Sequence, residues 1–437
     1  MARRVVQLTH LQALRRLSWG IADQGVSSVE NFVLGIFVAH TLGAASLGVL
    51  GLAMLTYAIV VNASRGVSTD SLMVRFSHAP RDRWRAATAE ATGTALVVGA
   101  AAAVLVFASG VILHVTIGGS DMGTALMALA VVLPGLTLQD SWRYAFFAAG
   151  EGGKSFANDA VWTVLLFATL PALQHASVEF VVLAYGATGS LAAVYGTWQA
   201  RVLPRPASTM RWLRRTRDLG PRFMMENVTL GAGGSVRSYT VAATSGLAAV
   251  GGVRGAEMLM GPIVALLMGI AQVAVPEAAQ GLARGRATFR IVCLRLSLGL
   301  AAVSAVWGAI ILIVFPWGIG PLLLGTVWPG AQGLMLAVVV AATFGCLTIG
   351  PSAGLRALGR ADKTLPSQLV ATGLTVAFGT AGAVIDGAYG MVWGTALASV
   401  LASIFWWYQL RLAYRHHFSH EAAGPSMPLQ PSADAAR

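Results

Sequence analysis

Charge is what this 437-residue chain has least of: Asp, Glu, Lys and Arg together make up 11% of it, where a soluble domain carries about 25%. Acids are the scarcer sign, with 18 Asp and Glu against 30 Lys and Arg. With 56% apolar residues the chain has too little polar surface to cover a particle in water, which excludes a soluble globular domain. The only two cysteines, Cys293 and Cys346, fall in apolar runs, which removes a disulfide framework and a thiolate metal site. His416, His417 and His420 open a polar, proline-containing tail over 415–437 that reads as disordered and solvated rather than as a metal site. The net charge of +12 has no folded soluble domain to present it to a groove, so a nucleic-acid partner is excluded too.

One stretch imitates a phosphate loop. A-A-G-E-G-G-K-S over 148–155 ends in Gly-Gly-Lys-Ser, but the required first glycine is Ala148. A phosphate loop also follows a short strand, whereas a long apolar run precedes this one. The nucleotide reading fails on both counts.

What the chain has in abundance is runs of about 20 apolar residues, the length that crosses a bilayer. Twelve are expected, at 17–41, 46–73, 87–113, 122–149, 156–174, 178–200, 222–244, 248–275, 288–317, 329–355, 365–385 and 389–413. Of the 30 Lys and Arg, 26 fall in alternate connections, and the intervening connections carry none. By the positive-inside rule both termini are cytoplasmic. The basic face suits an anionic inner leaflet, so membrane lipids are expected partners.

The chain also echoes itself. Ala148, Gly150, Lys154 and Ser155 recur at the same spacing as Ala357, Gly359, Lys363 and Thr364, closing the fourth and tenth runs. T-L-G-A-A-S-L-G-V-L-G-L-A (41–53) aligns without a gap on T-S-G-L-A-A-V-G-G-V-R-G-A (244–256), a register that sets Asp23 and Gln24 over Glu226 and Asn227. The expected fold is therefore an all-α polytopic membrane protein with twelve transmembrane helices in two parallel six-helix lobes, 1–200 and 222–414. The Arg-rich linker 201–221 joins them. The 148–155 stretch becomes a glycine-permitted turn at the cytoplasmic end of a helix.

Twelve spans in two halves, small-residue-rich first and second spans, and an R-x-x-x-F-x-A-x-G element closing the fourth (here RYAFFAAG over 143–150, with a shifted Phe) resemble the multidrug/oligosaccharidyl-lipid/polysaccharide (MOP) exporter superfamily. Within it the chain most resembles the Wzx-type flippases. That resemblance implies a protein of the bacterial plasma membrane that moves a polyprenyl-diphosphate-linked oligosaccharide, such as an undecaprenyl one, between leaflets by alternating access. It also implies glycosyltransferases and a polysaccharide polymerase as partners in cell-surface polysaccharide assembly. Multidrug and metabolite exporters of the superfamily share the topology and remain the alternative.

Ionisable residues inside a span are functional candidates by default. Arg65 and Arg237 have no acid at i±3 or i±4 and Arg143 has only Asp140 three positions back; each of the three is expected to face a water-filled cavity and hold an anionic substrate group. Pairing of Arg65 or Arg143 with Asp70 or Asp140 on a neighbouring helix is the bland alternative. Arg254 has Glu257 three positions on and reads as an ion pair. In the first run Asp23, Gln24, Ser27, Ser28, Glu30 and Asn31 form one expected polar stripe. Gln24 and Asn31 there are candidates for sugar contact, and Asp23 and Glu30 for coupling to an H⁺ or Na⁺ gradient; the other reading is hydrogen bonding between helices. Arg254, Glu226 and Asp70 are secondary candidates. No nucleophile–base set, metal set or cofactor motif is present, so an enzyme is not expected.

The topology is testable directly. With Cys293 and Cys346 replaced, single cysteines at Gly119 and Gly387 should react with an impermeant maleimide on intact cells, and one at Ala207 should not. Reaction at Ala207 from outside would overturn the orientation.

Overall fold

The computed structural model describes residues 2–77 and 79–422; the side chains of 2–17, 230, 232, 233, 272, 361 and 419–422 fall outside that description. Every regular element among the described residues is helical. The first half of the chain forms α1 (Ala2–Thr41), α2 (Gly43–Val67), α3 (Thr69–Phe76), α4 (Arg81–Thr116), α5 (Asp121–Ala148), α6 (Gly152–Thr169) and α7 (Val178–Ala200). A short α8 (Thr209–Arg215) lies in the Arg-rich connection. There follow α9 (Gly220–Ser245), α10 (Leu247–Leu259), α11 (Gly261–Ala283), α12 (Arg286–Val314), the short α13 (Ile319–Leu324) and α14 (Trp328–Gln332), α15 (Met335–Cys346), α16 (Ile349–Ala357) and α17 (Ala361–Ala422). The tail expected from 415 is helical as far as Ala422, and 423–437 lie outside the described residues.

The chain is an all-α polytopic membrane protein. Among the described residues eight helices are long and apolar enough to cross a bilayer, or nine if the pair α10–α11, bent by 54°, is one span. Two expected runs, 17–41 and 222–244, fall on α1 and α9, which are not in that set. Their polar residues account for it: α1 carries Asp23, Gln24, Glu30 and Asn31, and α9 carries Arg222, Glu226, Asn227 and Arg237. The last two runs share α17, which leaves helical geometry at Asp386 and Gly387, the latter at φ 54°.

The two echoing glycine turns have one geometry. Gly150 sits at φ 72° and Gly359 at φ 68°, a left-handed conformation that glycine adopts without a Cβ clash. In each, the glycine N–H donates three residues back, to Phe147 and Arg356, and the next N–H five back, to Phe146 and Leu355. That pair of bonds satisfies carbonyls left over at a helix end.

The other echo makes a contact. Gly43 and Gly246 are equivalent in that alignment and both sit at φ 82°. Gly48 and Gly251 are also equivalent, and they lie where α2 meets α10. A Cβ on Gly48 would stand 1.9 Å from the Leu247 carbonyl oxygen, and one on Gly251 would stand 1.9 Å from that of Ala44. Ala44 and Leu247 are themselves equivalent, so the contact is reciprocal. Bare backbone on both sides is what lets the helices approach this closely.

A proline break shapes the second half. Pro351 has no N–H to offer the Leu347 carbonyl four residues back. That carbonyl instead accepts from Ser297 Oγ at 2.9 Å and Trp407 Nε1 at 3.1 Å, which ties the α15–α16 junction to α12 and α17.

Adding a methyl at the crossing should separate α2 from α10. Gly48→Ala and Gly251→Ala should each lower the melting temperature of the detergent-purified protein, by an overpacking cost of about 1–3 kcal/mol. Gly269→Ala, where a Cβ would meet nothing within 4 Å, should not. Equal melting in all three would remove the close approach.

Candidate functional site

Three helices of the first half build a buried polar ladder. On α1, Asp23, Ser27 and Glu30 are spaced by four and three residues; on α6, Ser155, Asp159 and Thr163 are spaced by four. The rungs match: Ser155 Oγ donates to Asp23 Oδ1 at 3.0 Å, Ser27 Oγ to Asp159 Oδ2 at 3.0 Å, and Thr163 Oγ1 to Glu30 Oε2 at 2.7 Å. From α5, Arg143 Nε donates to Asp23 Oδ2 at 2.6 Å and stands 3.4 Å from Asp159 Oδ2. Gln139 Nε2 donates to Asp159 Oδ1 at 2.8 Å and to Asn158 Oδ1 at 3.1 Å. Asp23, Asp159 and Glu30 are 1%, 2% and 3% exposed. Three carboxyl groups around one guanidinium leave negative charge uncompensated in a low-dielectric interior, and a proton or a cation has to neutralise it.

A second ion pair lies along α2. Arg65 grips Asp140 of α5 with both arms, Nε to Oδ2 at 2.8 Å and an Nη to Oδ1 at 2.5 Å, and stacks 4.7 Å over the Tyr144 ring. Nearby, Asn227 Nδ2 of α9 donates to Asp70 Oδ2 at 2.7 Å, joining α9 to α3. Glu226, its neighbour in sequence, is exposed. It therefore shares nothing with Asp23, over which the sequence echo sets it.

A cavity of ≈ 900 Å³ lies between α1 and α2 on one side and α9, α10, α11, α15 and α17 on the other. Gln24, Ser28 and Asn31 of α1 line it, as do Arg237, Arg254 and Glu257. Glu257 stands 3.3 Å from Arg254 and 3.8 Å from Arg237, and Arg237 also donates to Thr395 Oγ1 at 2.8 Å. Arg237 Nε is buried without a protein partner among the described residues. Four methionines, Met54, Met258, Met260 and Met391, make much of the apolar wall.

The expected sites are thus redistributed. Arg65 and Arg143 meet acids on other helices and do not line the cavity; Arg237 does, and so does Arg254 with its expected partner Glu257. The single polar stripe of α1 divides in two. Consecutive residues point about 100° apart, so Asp23 and Glu30 turn into the ladder while Gln24 and Asn31 turn into the cavity. Sequence reasoning missed Asp159, Gln139, Asn158, Ser155 and Thr163. The available signal was Asp159 itself, an ionisable residue inside an apolar run, with hydroxyls four residues to either side.

No protein-family model and no curated protein sequence matches the chain. Solved structures do. An inward-facing multidrug resistance MATE family transporter of the MOP superfamily superposes with TM-score 0.65 at 14% identity, over 91% of this chain and 96% of its own. An outward-facing one gives 0.55 at 12%, over 93% and 96%. A MOP superfamily transporter from Pyrococcus furiosus, whose binding pocket is reported to have reverse polarity, gives 0.54 at 15%, over 92% and 95%. The fold is that of a MATE-type transporter of the MOP superfamily.

Removing one member of the Arg65–Asp140 pair leaves the other charge buried alone. Arg65→Ala and Asp140→Ala should each destabilise the protein by about 3–5 kcal/mol. Arg65→Met with Asp140→Leu should recover most of that loss in denaturant unfolding. Losses that simply add in the double variant would mean the pair is not coupled.

Proposed function

We propose that this chain is an ion-coupled exporter of the MOP superfamily, working by alternating access on amphiphilic organic solutes. Twelve spans, in two six-helix lobes at 1–200 and 222–414 joined by the 201–221 linker, form the proposed frame in a bacterial plasma membrane, with both termini cytoplasmic. Support comes from the alternation of basic connections and from the reciprocal α2–α10 contact between echo-equivalent residues. Six-span halves related by an axis along the membrane normal are a transporter architecture.

The observation that carries the reading is the double role of α1. One face holds Asp23 and Glu30 in the acid ladder, and the adjacent face presents Gln24, Ser28 and Asn31 to the cavity. A proton arriving at Asp23, Glu30 or Asp159 breaks or reverses hydrogen bonds to α5 and α6, and so repositions the wall against which a solute lies. Direct carboxylate–guanidinium bonds at Asp23, and hydroxyl donors at the other two acids, suit a proton better than a coordinated metal ion. Methionine walls adapt to varied apolar shapes.

A second reading, the lipid-linked oligosaccharide flippase, is favoured by Arg237 and Arg254 facing a single acid, Glu257, in the cavity. That excess of positive charge fits a diphosphate, which the guanidinium fork binds in two-toothed fashion.

The test is transport into liposomes under an imposed pH or Na⁺ gradient. Asp23→Asn, Glu30→Gln and Asp159→Asn should lower transport of a fluorescent amphiphile and flatten its dependence on the gradient. Gradient dependence untouched in all three would remove coupling from the ladder. Arg237→Ala and Arg254→Ala should weaken anionic amphiphiles about tenfold or more and spare cationic dyes. Competition by a polyprenyl-diphosphate oligosaccharide at low concentration would move the flippase reading ahead.

A further inference from the structure

Helices α11 and α12 run antiparallel from the turn at Arg284 and Gly285 and leave a groove of ≈ 520 Å³ between them. Leu266 and Ile270 of α11 and Ile291, Leu296 and Leu300 of α12 form its apolar walls. Gly299 widens it, because a Cβ there would meet nothing within 4 Å. This is not the central cavity, whose lining on α11 ends at Ala265.

Three charged side chains stand in the groove: Glu277 on α11, Arg284 at the turn and Arg295 on α12. All three are exposed, and among the described residues none has an ion-pair partner. At 1.5 Å per residue Arg295 lies about 14 Å along α12 from Arg286, and Glu277 about 9 Å before the end of α11. The two therefore stand at comparable depths below the arginine-rich turn, on an exposed face of α11 and α12. Charges at such a depth are held only against a complement.

We infer that this groove is a specific site for a phospholipid whose head carries both a phosphate and a primary ammonium, phosphatidylethanolamine being the simplest. The phosphate oxygens sit between the forks of Arg284 and Arg295, the ammonium donates to Glu277, and an acyl chain runs past Gly299 along Ile270, Leu300 and Val303. A purely anionic head satisfies the arginines but sets a like charge or a bare hydroxyl against Glu277. A choline head brings an ammonium with no hydrogen to donate. The site rests on the membrane-spanning reading above but not on what the central cavity carries.

Native mass spectrometry of the full chain, released from detergent with defined lipids, tests it. Phosphatidylethanolamine should be retained more tightly than phosphatidylglycerol or phosphatidylcholine. Arg295→Ala should weaken it about tenfold or more, as loss of a charge-assisted bond does. Glu277→Gln should abolish the preference over phosphatidylglycerol while phosphate binding persists. Gly299→Leu should fill the groove and lower retention of all three, and Arg290→Ala, outside the groove, should change nothing. Equal retention of the three lipids by the unaltered protein, full retention in Gly299→Leu, or a loss in Arg290→Ala equal to that in Arg295→Ala would overturn the site. Should Arg295→Ala not fold, the unaltered protein's lipid series and Gly299→Leu decide alone. Retention needs no transport, so failure of the liposome assay leaves this result standing.

Discussion

A charge taken into a bilayer has to meet its complement there, and the first half of this chain is organised around one such meeting. Asp23, Asp159 and Arg143 come from three helices that are not all neighbours in sequence, and the side chains that serve them come from the same three. None of α1, α5 and α6 can shift along its axis without opening a buried bond to a charged group. The ladder thereby fixes the register of α1, and α1 in turn sets one wall of the cavity. Arg65 and Asp140 do the same between α2 and α5.

The second half solves its packing differently. Its helices are broken at the α10–α11 bend, the α15–α16 junction and Asp386–Gly387. The Leu347 carbonyl freed at the Pro351 break is taken by Ser297 and Trp407 rather than left bare. Three of its ionisable residues, Arg237, Arg254 and Glu257, look into the cavity instead of into a sealed cluster. One half holds charge as structure, and the other presents it to whatever enters. Between α2 and α10 the contact is glycine backbone at Gly48 and Gly251, with no side chain between the two helices there.

The helices themselves were legible in the sequence because apolar length and glycine punctuation are local properties. The turns at Gly150 and Gly359 could be placed from their spacing alone. Which arginine meets which acid was legible only as an open set, Arg65 or Arg143 with Asp70 or Asp140; Arg65 takes Asp140, and Arg143 takes Asp23 from outside that set. Arg65 and Asp140 are 75 residues apart and Arg143 and Asp23 are 120 apart, so no search at three or four positions along one helix finds them. The polar stripe of α1 was visible, but its division was not. Asp23 and Gln24 are adjacent in sequence, and only the placement of α6 decides which of them is buried. Asp159 was overlooked because it lies in a run that is otherwise apolar enough to cross the membrane unaided.

The polarity of α1 also bears on how the chain is made. Asp23 and Glu30 leave the ribosome before the groups that hold them in the ladder. Arg143 follows Asp23 by 120 residues, and Ser155 by 132. At about 5–20 residues per second that is a wait of roughly 6–24 s. During that interval α1 is a poor candidate for release into lipid, where each unpaired acid is costly. Its ladder cannot close until α5 and α6 emerge. The ladder that closes over α1 thus needs two helices made well after it, which places α1 among the last parts of its half to settle.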